Sequence, residues 1–250
     1  MNNLPQVSII TVVYNAESLV ERTMQSVREQ SWPNLQHIVV DGHSTDSTLE
    51  VVRKFERPAL KVFSEKDRGI YDAMNKGLHL TSGDYVLFLN AGDEFYASTS
   101  IGDALKVSEN ADFYYGNTAV VDVNGYVLGD RRLAPPKELT WKSFKMGMCV
   151  SHQSMIVRRA LCEDYDLQYR ISADIDWTIR VLKKAKKVVY TNTYVAKFLA
   201  GGVSSTRQKD GLKERYQILS KYYGAVPNFF SHAVIAMRFI WHKLTRKSMT

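Results

Sequence analysis

Cysteine is scarce in this chain. Only Cys149 and Cys162 occur among 250 residues, and their separation fits neither a metal-ligand pair nor a disulfide framework, so a reducing compartment such as the cytoplasm suits the fold. Long hydrophobic runs are missing too: no stretch approaches the roughly 18 apolar residues of a bilayer-spanning helix. The N-terminus, Met1 to Gln6, leads into a strand-like run without a basic segment and apolar core, which argues against a secretory signal. No Gly-x-Gly-x-x-Gly follows the first strand and no Walker sequence occurs, which speaks against a dinucleotide site and a P-loop. Internal repeats and low-complexity stretches are absent as well.

The body of the chain also lacks an excess of either charge. The net charge is +7, yet from Ser205 to Thr250 nine Lys or Arg stand against two acids, so the tail carries the whole excess. That argues against a nucleic-acid groove across the main domain and points the C-terminus at an anionic surface. With 45% hydrophobic and 24% charged residues, the composition is that of an ordinary globular protein. The length suits one large domain with an appendage, drawn here as 1–205 and 206–250.

What is present is organised around Asp84 to Phe95. Tyr85 to Leu89 is an apolar run bounded by Ser82-Gly83 and Gly92, which reads as a strand buried on both faces. It ends in Asn90-Ala91-Gly92-Asp93-Glu94, and in open α/β sheets ligands bind beyond the carboxyl ends of strands. Upstream, Val7–Val13, Gln36–Val40 and Leu60–Ser64 read as strands, with helices over 17–29, from about 49 to 55 and over 72–80. Asp46, Ser47 or Thr48 can cap the second of these helices. This alternation predicts an α/β fold with a mostly parallel, Rossmann-like sheet. The second half is less regular: a hairpin over 112–127 turning at Asn124-Gly125, a strand over 151–157, a helix over 172–184, and two late strands at 187–190 and 196–199. Gly224 to Pro227 separates two terminal helices.

Asp41, Asp93 and Asp174 thus stand at element ends from different parts of the chain. Here the residues resemble a known family, the inverting family 2 glycosyltransferases of GT-A fold. The likeness rests on Val7–Asn15, Ile38–Thr48, Asp67–Gly77, Gly83–Asp93 and Ser172–Trp177, and covers roughly residues 5–205. It is strongest toward bacterial enzymes of surface polysaccharides of the colanic acid and O-antigen type.

The resemblance implies roles position by position. Thr11, Tyr14 and Asn15 match the block that holds the nucleotide base, and Asp41 the acid that accepts from it. Asn90, Ala91 and Gly92 match the rest of the donor turn, and Asp93 the ligand of a divalent cation, Mn²⁺ or Mg²⁺. Asp174 matches the catalytic base. His152 and Gln153 match an acceptor-side block. Two departures stand out: Asn90-Ala-Gly-Asp93 replaces the usual Asp-x-Asp-Asp, and Ala173 replaces the usual Glu before the base. A hard cation binds diphosphate and carboxylate oxygens and keeps water in the rest of its shell, so one protein carboxylate can suffice. A positioned Asp base contributes about 10²- to 10⁴-fold.

Several residues carry a second reading. Asp176 competes with Asp174 for the base role. Arg68 and Lys76 serve either as phosphate cations or as surface charges, and His152 is either an acceptor-side group or a structural one. Gly201 to Ser204 reads as a lid over the diphosphate or as a connector. Pro227 to Lys247 mixes aromatic and aliphatic residues with basic ones, which suits a helix lying in an anionic headgroup layer; packing on the domain or on the second subunit of a homodimer is the competing reading. The expectation is a peripheral enzyme on the inner face of the cell membrane, taking a nucleotide-sugar, UDP favoured through the likeness, and a glycan acceptor on a lipid diphosphate. A nucleotidyltransferase and a non-catalytic sugar-nucleotide-binding scaffold are the alternatives.

Overall fold

The computed structural model describes residues 4–201 and 208–232. The strands β1 (Val7–Val13), β2 (Leu35–Asp41), β3 (Leu60–Ser64) and β4 (Tyr85–Phe88) form the parallel half of a nine-stranded sheet. All seven residues of β1 are buried, which is why its sequence is a continuous β-branched run and not an alternation. Helices α1 (Val20–Arg28), α2 (Thr48–Arg53) and α3 (Ile70–His79) are the crossovers between these strands. The C-terminal ends of β1 to β4 therefore open on one edge.

β5 (Glu94–Phe95), helix α4 (Ser100–Lys106), β6 (Phe113–Val121), β7 (Val127–Asp130), β8 (Met155–Arg158), helix α5 (Ala173–Lys184) and β9 (Val188–Leu199) follow. The sheet runs β3-β2-β1-β4-β8-β6-β9-β5, with β7 paired to β6. β8 is antiparallel to both its neighbours, so the order turns mixed past β4. Sheet and flanking helices make a GT-A-like fold, completed by helix α6 (Gln208–Tyr223). Ile218 and Leu219 of α6 are fully buried in the main core, beside Trp177 and Ile179 of α5.

Two elements differ from the sequence reading. The strand expected from Ser151 starts only at Met155, because His152–Ser154 closes a 3₁₀ turn with Ser154 N–H on the Ser151 carbonyl. The two late strands are one, β9, kinked at Asn192 (φ 55°) while its pairing with β6 shifts register. Of the lid reading only Gly201 is described; Gly202 to Ser204 and the tail beyond residue 232 lie outside the described residues.

α3 approaches the sheet through Gly77. A Cβ there would stand 2.5 Å from Ile10 Cγ2 and 3.2 Å from Val40 Cγ2. Gly77→Ala is therefore expected to lower stability by about 1–3 kcal/mol through overpacking, despite the better helix propensity of Ala, as read from the urea midpoint.

Candidate active site

The loops after β1, β2 and β3 meet. Asn15, at φ 46°, accepts from Thr45 N–H at 2.9 Å, while its own N–H donates to Ser44 Oγ at 2.9 Å. Asp41, fully buried at the end of β2, takes the Ser44 hydroxyl at 2.5 Å, the Ser64 hydroxyl at 2.6 Å and the Ser44 N–H at 3.2 Å. Its carboxylate thus fixes the floor of this corner. Above it, Tyr14 is 63% exposed. Gly42 lets two side chains close on this corner: a Cβ on it would meet Asp67 Oδ2 at 2.4 Å and Tyr14 Cδ2 at 3.3 Å. The exposed Tyr14 ring and the Asp67 carboxylate, whose other oxygen accepts from Gly69 N–H at 2.8 Å, thus flank Gly42. An amphipathic ring of this kind suits stacking against a base. Thr11 does not reach this corner; it is fully buried, with Oγ1 3.0 Å from His37 Nε2.

A second constellation lies beyond the end of β4 and beside the start of α3. Asn90 Nδ2 is 3.1 Å from His152 Nε2, and His152 Nδ1 is 3.8 Å from Asp174 Oδ2. Asp174 Oδ1 accepts from Ile175 N–H at 3.0 Å. Tyr71 Oη stands 3.3 Å from the same oxygen and 2.9 Å from the Ile171 carbonyl, to which its single proton is better placed. Burial, then the Asp174 charge, push the Tyr71 hydroxyl well above its ordinary pKa, so it stays a donor. Among the described residues Asp174 Oδ2 accepts no hydrogen bond, and its side chain is 21% exposed.

Asp176 is a different kind of acid. It is fully buried and takes Arg180 at 2.7 Å, Lys221 at 3.0 Å and the Tyr222 hydroxyl at 2.7 Å. Burial alone would raise its pKa, but the hydrogen bonds from Tyr222, Arg180 and Lys221 outweigh that and hold it below the usual value. It ties α5 to α6. Glu214 of α6 accepts the N–H groups of Arg170, Ile171 and Ser172 at 2.8–2.9 Å, ordering the turn that delivers Asp174.

Asp93 faces inward. It is 4% exposed, with Oδ2 on Gln153 Nε2 at 2.7 Å and Oδ1 on Leu199 N–H at 2.9 Å. Burial pushes its pKa up to about 6, against those same hydrogen bonds. Gln153, itself buried and held by the Ser151 hydroxyl at 2.6 Å, reaches this carboxylate. Thr23 Oγ1 binds the rest of the turn, donating to the Asp93 carbonyl at 2.7 Å and accepting from Gly92 N–H at 2.9 Å. Ala91 packs against the apolar cluster that holds Val13 and Met24, and Gly92 (φ 93°) has no room for a Cβ, which would lie 2.6 Å from Leu199 Cδ2.

The fold family implies a divalent cation, and the donor set tests it. Among the described residues no three His, Cys, Asp or Glu side chains converge on a cation position. Asp93, the sole carboxylate of Asn90–Asp93, has both oxygens engaged, so acting as a ligand would require exchanging these partners. The residues present do not form a ready cation cradle.

Arg68 is exposed and pairs with Asp72 at 3.1 Å, while Lys76 donates to the Lys66 carbonyl at 2.8 Å and lies 3.8 Å from Asp72. Arg68 lies in the β3–α3 connection and Lys76 in α3, and neither joins the Asn90–His152–Asp174 group. Asp67, Tyr71, Thr23 and Glu214 were not singled out from the sequence. Asp67 and Tyr71 could have been, since both lie in the Asp67–Gly77 block after β3; Thr23 and Glu214 act from helix faces that no motif marks.

A parallel half-sheet with an exposed aromatic at its strand ends, and at a helix start an acid whose Oδ2 accepts no hydrogen bond among the described residues, fit the GT-A glycosyltransferase class. The profile described as "Glycosyl transferase family 2" matches residues 8–165. A "PGL/p-HBAD biosynthesis glycosyltransferase" of Mycobacterium bovis is 31% identical over 215 residues, covering 81% of this chain and 80% of its own. The Escherichia coli "UDP-Glc:alpha-D-GlcNAc-diphosphoundecaprenol beta-1,3-glucosyltransferase WfaP" is 23% identical over 241 residues, or 90% and 95% of the two chains. Among solved structures, S. aureus TarS 1-349 in complex with UDP-GlcNAc superposes with TM-score 0.65 at 20% identity, over 89% of this chain and 69% of that one. The mannosyltransferase PcManGT from Pyrobaculum calidifontis, in complex with GDP-Man and Mn²⁺, gives 0.67 at 17%, over 100% and 82%. The two structures bear on the fold alone. The chain belongs to glycosyl transferase family 2 and is a nucleotide-sugar-dependent glycosyltransferase.

Proposed function

We propose that the enzyme is inverting, with Asp174 as base, and that it moves a sugar from a UDP-sugar to a hydroxyl of a growing surface glycan held on a lipid diphosphate. The observation that carries this reading is the partly exposed Oδ2 of Asp174, which accepts no hydrogen bond among the described residues and has His152 Nδ1 at 3.8 Å, while Ile175 N–H steadies the other oxygen. In one displacement the acceptor O–H proton passes to Oδ2 and the acceptor oxygen bonds to the anomeric carbon. The bond from that carbon to the diphosphate oxygen breaks, and the nucleoside diphosphate leaves with the electron pair. Attack from the face opposite the leaving group inverts the centre.

The corner of Tyr14, Gly42 and Asp67 is the proposed seat of the base, with Asn15 and Asp41 holding its loops. The UDP-sugar and the diphosphoundecaprenol acceptor in the name of the E. coli relative support the donor and acceptor classes. No helix among the described residues is long and apolar enough to cross a membrane. Val226, Phe229 and Phe230 are exposed at the start of the tail, which supports a peripheral seat on lipid.

Thermal unfolding with UDP or GDP, each in Mn²⁺ and in EDTA, tests the donor side. UDP at about 100 times its dissociation constant should add about 2.7 kcal/mol, and Tyr14→Ala should weaken binding by about 0.5–1.5 kcal/mol. The EDTA arm reads the cation requirement separately. Absence of any nucleotide shift rejects the proposed donor site.

A further inference from the structure

We propose that Arg131 and Arg215 form an anion subsite beside Asp174 that receives a phosphate group of the acceptor; this deepens the acceptor reading above and rests on it. A cavity of about 100 Å³ is lined by Thr118, Arg131, Leu133, Cys149 and Ser151. Arg131 Nη1 and Arg215 Nε are buried and have no hydrogen-bond partner. Among the described residues neither guanidinium meets a carboxylate within ion-pair distance, and the nearest acceptor of Arg131, the Met148 carbonyl, is 3.5 Å from Nη2. Arg215 reaches the same wall: its Nη1 lies 3.7 Å from where a Cβ of Gly147 would stand, beside Leu133 Cδ1 at 3.8 Å.

Buried N–H groups of a cation without acceptors are costly, and two such cations side by side add repulsion. Burial and the neighbouring Arg215 lower the Arg131 pKa, while the Asp174 carboxylate opposes this. The Cys149 thiol, pushed up to about 11 by burial, stays neutral and offers no countercharge. Asp130 also lines the cavity, but it is exposed and takes the Tyr194 hydroxyl at 2.6 Å. An incoming anion would supply the missing acceptors, and the guanidinium fork matches phosphate oxygens.

Position assigns that anion to the acceptor. The corner at Tyr14, Gly42 and Asp67 belongs to the β1–β3 end of the sheet, whereas the cavity belongs to β6, to the chain after β7 and to the turn before β8. Ser151 of the cavity wall is followed by His152, whose Nδ1 is 3.8 Å from Asp174 Oδ2. A hydroxyl placed at Asp174 can thus belong to a sugar whose phosphate sits in the cavity. A lipid diphosphate and a soluble sugar phosphate share this chemistry.

The test titrates the full chain with inorganic pyrophosphate while saturating UDP fills the donor site. Binding is expected, and Arg131→Gln and Arg215→Gln should each weaken it at least tenfold with UDP affinity unchanged; Arg131→Lys should lose less. No pyrophosphate binding to wild type, or equal binding by both Gln variants, overturns the proposal. Farnesyl diphosphate distinguishes the sources: tighter binding than pyrophosphate, lost in the same variants, identifies a lipid-linked acceptor, and equal binding identifies a soluble phosphate. If UDP does not bind at all, the donor reading falls. Pyrophosphate binding sensitive to Arg131→Gln would still establish the subsite, so the two readings fail separately.

Discussion

Asp174→Asn is expected to lower kcat by about 10²- to 10⁴-fold, the contribution of a positioned base, while leaving UDP affinity within about twofold. Asn is nearly isosteric and can keep the 3.0 Å contact with Ile175 N–H, so the start of α5 should hold its shape. What disappears is the basic oxygen at Oδ2. The neighbouring acid gives a contrast that separates chemistry from structure. Asp176→Asn leaves Arg180 and Lys221 without their buried countercharge, and breaking such a pair costs about 3–5 kcal/mol. That variant should show a lowered melting temperature first and lowered activity only as a consequence. A loss of kcat below tenfold in Asp174→Asn, with the protein folded and UDP bound, would remove Asp174 from the base role.

The contrast between these two acids shows what a sequence carries and what it does not. Residues two apart on a helix lie about 200° apart, so one of Asp174 and Asp176 had to face away from whatever the other faces. Which one faces the cleft depended on α6, whose Lys221 and Tyr222 claim Asp176 from 45 residues downstream. The strands β1, β2 and β4 were legible because burial on both faces demands continuous apolar runs. β9 was not, because the kink at Asn192 breaks its pattern into two pieces that only pairing with β6 joins. Asp93 stood out at a strand end, yet its inward direction follows from Gln153 and Leu199, neither of which announces it. Tyr14, by contrast, was legible as an aromatic ending a strand, and it is exposed beside Gly42.

Two buried groups should make stability depend on pH in opposite senses. Burial, then the Arg57 charge, lower the His37 pKa from 6.5 to about 3. The unfolded chain therefore binds a proton on His37 below pH 6.5 that the native state refuses, and stability falls as pH drops from about 6.5 toward 3. Asp93 behaves inversely: its native pKa of about 6 stands above the ordinary 3.8. The native state holds its proton after the unfolded chain has lost it, so its contribution is full below about pH 4 and is lost as pH rises through 6. Between pH 7.5 and 4.5 the His37 linkage should remove about 3 kcal/mol and the Asp93 linkage restore about 2 kcal/mol, so wild type shows little net change from this pair. Substitution separates them. His37→Gln, which can still pair with Thr11, should gain about 3 kcal/mol relative to wild type on going from pH 7.5 to 4.5. Asp93→Asn should lose about 2 kcal/mol over the same interval. Urea midpoints at the two pH values decide the matter, and shifts of the same sign in both variants would show that one of the two burials is wrongly placed. The Asp93 result bears on catalysis as well. A carboxylate that titrates near 6 and is held by Gln153 is partly protonated in mildly acidic buffer, so UDP binding measured at pH 5.5 and 7.5 would reveal whether its charge is felt at the donor site.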